Sequence, residues 1–153
     1  MNNLLDFFIN VGKLKRKKRK GWTILHQIKE SESTAEHIFR GVVMAWILAE
    51  KKEFNINIGK VIKMVLAHDF CEVYAEDETP YDPLLPKDKN RKKIEEIINI
   101  RSRIQYSPAE RKKRIENKFK NELKGLNKLV AKLPNNFKDE IVNLWLDYEK
   151  GIS

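Results

Sequence analysis

From Leu4 to Tyr148 the large apolar residues recur three and four positions apart, and no strand pattern competes with that spacing. A period near 3.6 lines such residues along one face of an α-helix, whereas a half-buried strand needs a period of two. The chain is therefore predicted to be all-α. Leu4, Phe7, Phe8, Val11 and Leu14 make one such face, and Ile38, Val42, Ala45, Trp46 and Ala49 make the inner face of a second. Ile58, Val61, Ile62, Val65 and Leu66 follow in phase, then Ile94, Ile97, Ile98 and Ile104. Ile115, Phe119, Leu126, Leu129, Val130 and Leu133 line a fifth segment, and Phe137, Ile141, Leu144, Trp145 and Tyr148 a sixth. A bundle of about six helices results.

Local chemistry sets the predicted boundaries. Ser33-Thr34-Ala35-Glu36 is a capping box, in which a hydroxyl and a carboxylate satisfy free amides at a helix start. Ser107 to Glu110 is another, with Pro108 where its missing amide costs nothing. An Asn cap before Phe137 and a stop at Gly151 bound the last helix, and Gly125 is a candidate interruption in the one before it. The stretch EDETPYDPLLPKDK, with its three prolines, must be a loop. No repeat or Gly/Ser linker divides the 153 residues, so residues 1–153 are expected to form one domain.

Composition narrows the class. At 41% apolar residues the chain has enough material for a core. Cys71 is the single cysteine, which excludes an internal disulfide and suits a reducing, cytoplasmic compartment. The longest apolar run, VVMAWILA, falls far short of the roughly 20 residues that cross a bilayer. The Lys/Arg cluster follows the first apolar segment rather than preceding it, so neither a membrane span nor an export signal is expected. Net charge is +9, and KLKRKKRK (13–20) concentrates it, which favours anionic partners without naming one.

One stretch breaks the apolar pattern with chemistry. In AHDFCEVYAED (67–77), the residues His68, Asp69, Glu72 and Asp77 stand where a buried helical face should continue. On a continuing helix Val61, Val65, His68 and Glu72 share one stripe, and Ile58, Ile62, Val65 and Asp69 its neighbour. His68 and Asp69 would then flank the buried face and reach a cation in front of it. A mutually neutralised structural His–Asp pair is the alternative. His37, one turn inside the capped helix, is kept neutral and ligand-competent by the positive N-terminus. It is equally compatible with a solvent-facing first-turn histidine. Cys71 reads as a small buried hydrophobe, and Met44 and Trp46 as core.

Several segments in order resemble a known family. LKRKKRKGW (14–22), ESTAEHIFR (32–40), LAHDFCEVYAED (66–77), PKDKNRKKIEE (86–96) and LWLDYEKG (144–151) together resemble the HD-domain metal-dependent phosphohydrolases, in their 5'-deoxynucleotidase branch. The family is all-α. The resemblance implies His37, His68 and Asp69 as ligands of one divalent cation, with Mn, Co, Zn, Ni and Fe all admissible. It implies Glu72 as the group that orients or deprotonates the attacking water and Asp77 as a partner of the sugar hydroxyl or of proton transfer. Arg19 would hold the phosphate and Trp22 the nucleoside part. In the family pattern a fourth ligand, an aspartate, follows the LW…YE segment, at a position beyond Ser153, so the domain is expected to be short at its C-terminus.

The implied function is removal of phosphate from nucleoside 5'-monophosphates, deoxy forms above all, by a homodimeric protein. Two other readings stand beside it. One is a non-catalytic relative that binds nucleotide or a partner protein. The other is nucleic-acid binding through KLKRKKRK, resting on charge density alone.

Overall fold

The computed structural model describes residues 2–25, 28–51, 56–79, 81–88, 90–100 and 106–151. Six α-helices occur among them: α1 (Asn2–Val11), α2 (Thr34–Ala49), α3 (Ile58–Ala67), α4 (Arg91–Ile100), α5 (Pro108–Val130) and α6 (Asn135–Lys150). No strand forms among the described residues, only an isolated bridge between Lys18 and Ser33. Both capping boxes form as expected: the Ser33 and Ser107 hydroxyls accept the Glu36 and Glu110 amides, and each glutamate accepts the amide of its serine. Gly151 closes α6 at φ 65°, a left-handed conformation natural to glycine. Ile104 lies outside the described residues.

The core gathers where α5 and α6 meet the turn that follows α3. Cys71, Leu126, Val130, Leu133 and Trp145 are buried together, with Phe7 of α1 and Phe119 packed against them. Burying a side chain such as Leu126 contributes about 1.5–3 kcal/mol. The α2 helix lies against α3, and α3 against α6. At Gly41 an added Cβ would stand 3.1 Å from Val65 Cγ1, which shows how closely the first pair approaches.

Several expected boundaries and faces differ. The α3 helix ends at Ala67, and Phe70–Val73 is a tight 3-10 turn rather than a continuation. Further α-helical turns would carry Asp69 and Glu72 on at the negative end of the helix dipole. The tighter turn instead presses Cys71 onto α5. There Gly125 does not interrupt the helix: its missing side chain admits the turn, since a Cβ would lie 2.8 Å from the Cys71 carbonyl oxygen. Pro134, not an asparagine, precedes α6, and no side chain caps that helix.

Met44 and Trp46 are not core; both face outward, Trp46 at 52% exposure. Gly41 permits a close approach to Val65 of α3, and the bulky side chains Phe39, Val43, Trp46 and Ile47 are left on the outer face. On α1 only Phe7 joins the core, while Leu4 and Phe8 are exposed. Leu66 and Ile115 are exposed as well. No helix among the described residues is long and apolar enough to cross a membrane.

Candidate metal centre

Two elements deliver three candidate donors. The Ser33–Glu36 capping box fixes the first turn of α2 and with it His37. His68 and Asp69 leave the end of α3, where the His68 amide still donates to the Met64 carbonyl. One ligand atom from each of His37, His68 and Asp69 lies within 4.8 Å of the other two. Asp69 Oδ2 is 3.1 Å from His68 Nε2 and 3.7 Å from His37 Nε2.

Both rings are backed on the opposite nitrogen. His68 Nδ1 meets the Val65 carbonyl at 2.6 Å, and because a carbonyl only accepts, Nδ1 carries the proton. In the neutral ring, Nε2 then turns a lone pair toward Asp69. His37 Nδ1 is 3.5 Å from Glu32 Oε1, which Arg40 holds at 2.7 Å. Carbonyl and carboxylate partners of this kind orient metal-ligating histidines. Two such imidazoles and a carboxylate are a donor set that fits a divalent transition ion.

Charge follows burial and neighbours. Burial, then the Arg19 guanidinium, holds the His37 pKa below its ordinary value, which keeps the ring neutral. Burial also works against the His68 imidazolium, but Asp69 and the Val65 carbonyl together outweigh it and the pKa is raised. Burial opposes the Asp69 carboxylate, yet His68 and Arg19 bring its pKa down. Glu72 is only 4% exposed, and burial followed by the Asp69 charge lifts its pKa to about 7.

Arg19 ties the acids together. Its Nη1 donates to Asp69 Oδ2 at 3.0 Å and to Glu72 Oε1 at 2.7 Å, and its Nε is 3.9 Å from Asp77 Oδ2. Asp77 also accepts the Lys20 amide at 3.0 Å. Of the sequence-derived site residues, Arg19, His37, His68, Asp69, Glu72 and Asp77 thus converge. Trp22 lies on the Gly21–Leu25 turn, its amide donating to the Arg19 carbonyl at 3.2 Å, with 40% exposure.

The basic block is divided: Lys13, Lys15, Arg16 and Lys18 are exposed, while Lys17, Arg19 and Lys20 are part-buried. Lys17 donates to the Glu72 and Ala75 carbonyls, Lys18 to the Ser31 carbonyl, and Lys20 to Asp82. The part of the block that follows the Gly12–Lys15 3-10 turn, Lys17 to Lys20, thereby becomes a strap across the acidic turn. Sequence reasoning missed Glu32 behind His37, Thr34 against Glu72, and the contact of the Tyr148 ring with the His68 ring at 4.8 Å. Glu32 and Thr34 lie inside the ESTAEH segment, but nothing in their spacing announces a partner.

A family profile described as HD domain matches residues 11–115, a span that holds all six converging residues. The chain belongs to the HD-domain family. This HD-domain chain is 30% identical to a 5'-deoxynucleotidase of Xenopus laevis over 147 residues, covering 96% of the chain and 57% of that protein. It is 38% identical over 106 residues to a 5'-deoxynucleotidase of Dictyostelium discoideum, covering 65% of the chain and 55% of that protein. The crystal structure of a predicted metal-dependent phosphohydrolase from Magnetospirillum magnetotacticum superposes with a TM-score of 0.66 at 25% identity. That match covers 99% of the HD-domain chain and 61% of the solved one. The chain therefore spans little more than half the length of the curated relatives it matches.

Proposed function

We propose that this chain carries the centre of a metal-dependent phosphohydrolase acting on nucleoside 5'-monophosphates, deoxy forms included. The convergence of donors from His37, His68 and Asp69 within 4.8 Å carries the reading. The names of the Xenopus and Dictyostelium relatives supply the substrate class.

In this reading His37, His68 and Asp69 hold one divalent cation of the Mn, Fe, Co, Ni or Zn type. Such a cation supplies a nucleophile at neutral pH and neutralises phosphoryl charge. Glu72, with a pKa lifted to about 7, takes up and returns a proton near neutrality. Arg19 offers its planar guanidinium to phosphate oxygens, its charge sustained by the surrounding carboxylates. Asp77, anchored by the Lys20 amide, accepts from a sugar hydroxyl. The half-exposed Trp22 packs on sugar or base. A cavity of about 980 Å³, lined by Lys20, Thr23, Ile28, Leu85 and Ile94, adjoins that turn and has the size of a small-ligand pocket.

The test is phosphate release from a panel of ribo- and deoxynucleoside 5'-monophosphates by protein supplied with Mn²⁺, Co²⁺ or Zn²⁺. Release that requires the metal and vanishes in His68→Ala is expected; undiminished release in that variant would sink the assignment. A second reading, nucleotide binding without turnover, draws on Arg19 already engaging both Asp69 and Glu72. Thermal stabilisation by a monophosphate with no phosphate released would favour it. Homodimerisation belongs to the main reading, because Phe39, Val43, Trp46 and Ile47 repeat along the outer face of α2 as seam residues of paired helices do. Sedimentation that reports single chains at micromolar concentration would rule this out. A reducing cytoplasmic setting accords with the buried free thiol of Cys71.

A further inference from the structure

Thr34 is fully buried at the first position of α2, yet it is neither a cap nor one of the candidate donors. Its hydroxyl lies 2.9 Å from Glu72 Oε2 and 3.3 Å from the Lys17 carbonyl, to which its own amide donates at 2.8 Å. A hydroxyl has one proton to give. The shorter, charge-assisted contact with the Glu72 carboxylate claims it.

Lys17 closes the circuit from the other side. Its ammonium donates to the Glu72 carbonyl at 2.5 Å and also to the Ala75 carbonyl. The loop runs from the Lys17 carbonyl to Thr34, from the Thr34 hydroxyl to the Glu72 side chain, and from the Glu72 backbone back to the Lys17 ammonium. With Arg19 Nη1 on Oε1, both oxygens of Glu72 are committed, so the carboxylate cannot turn without losing a bond. Thr34 also stands three residues before His37 on the same helix, so the circuit spans the gap between the two halves of the donor cluster.

We propose that Thr34 and Lys17 are positioning residues for Glu72, holding its carboxylate in register with His37 through this closed circuit; the assignment rests on Glu72 handling the proton as proposed above. Valine fills nearly the space of threonine but cannot donate, so Thr34→Val leaves Oε2 buried without its partner and the Ser33 capping box intact.

Two measurements test this on the full chain. In the phosphate-release assay, Thr34→Val lowers kcat about tenfold or more with KM little changed, as expected for a lost hydrogen bond to a charged group. Thr34→Ser, which keeps the hydroxyl, restores most of kcat. Equal losses in the two variants, or a loss confined to KM, would overturn the positioning role. The second measurement needs no activity: thermal unfolding of Thr34→Val, Glu72→Leu and the double variant. The Thr34→Val shift in Tm should be present in the native background and nearly absent beside Glu72→Leu, whereas additive shifts would refute the contact. If Thr34→Val does not fold, Thr34→Ala with Glu72→Leu reads the same contact, and Lys17→Met, which releases the Glu72 backbone carbonyl, should lower kcat with KM little changed. Should the native chain release no phosphate, the proposed function falls, while the unfolding cycle still decides whether the circuit holds Glu72.

Discussion

Replacing Gly125 by alanine pits two opposed effects against each other. In an ordinary helix interior the change stabilises by about 1 kcal/mol, because alanine loses less conformational freedom on folding. At this position an added Cβ would lie 2.8 Å from the Cys71 carbonyl oxygen, 3.1 Å from the Ala75 nitrogen and 3.2 Å from Ala75 Cβ. Two of the three are backbone atoms, so no rotamer change relieves the clash, and the upper part of the 1–3 kcal/mol range for overpacking applies, about 3 kcal/mol. The net expectation is a loss of about 2 kcal/mol, or a fall in Tm of roughly 4–8 °C for a domain of this size. Thermal and urea unfolding of Gly125→Ala would measure it. Gly59→Ala in α3 is the control, since its Cβ meets nothing closer than 3.4 Å. If Gly125→Ala proved as stable as the native chain or more so, the close approach of α5 to the turn carrying Glu72 would be refuted.

Other expectations follow from individual contacts. The Ser107 hydroxyl and amide hold the Glu110 pKa below its unfolded value, so the carboxylate adds stability above the unfolded pKa and loses it as pH falls through the native one. The Tm gap between native chain and Glu110→Ala should therefore be open at neutral pH and close in acid; a gap independent of pH would contradict this. Trp145→Ala should destabilise by about 3–5 kcal/mol, because the side chain is fully buried. Ile115→Ala, at an exposed position of α5 away from the outer face of α2, should cost about 0.5 kcal/mol or less, and comparable losses in denaturant titrations would reverse the assignment of faces. Asp69→Ala should lower the Mn²⁺ or Co²⁺ bound after dialysis, and elemental analysis showing unchanged metal content would remove Asp69 from the donor set.

Where neighbours in sequence decide an outcome, it was legible. The starts of α2 and α5 could be read because Ser33 with Glu36, and Ser107 with Glu110, are complete capping devices within four residues. The candidate donors His37, His68 and Asp69 could be read because each stands in a segment that resembles the HD-domain family. Contacts made across the chain were not legible. The end of α3 at Ala67 depends on a glycine in α5, and the 3.6 periodicity of α3 carries no trace of it. The outward turn of Trp46 escaped notice because α2 is apolar on nearly every side, so periodicity has no face to choose. Charge density marked residues 13–20 as one basic block, but density does not tell which ammonium turns inward to a carbonyl, as Lys17 does.

The strap formed by Lys17 to Lys20 has a consequence for how the protein is born. Arg19 finds Asp69 fifty positions along the chain, and Lys20 finds Asp82 sixty-two positions along. Such separations are slow to close, because the entropy of a long loop is lost before any contact rewards it. The helices can form from nearby residues, but the acidic turn acquires its cationic cover only after the first eighty or so residues have left the ribosome, so competence to bind anything at this centre arrives late in folding.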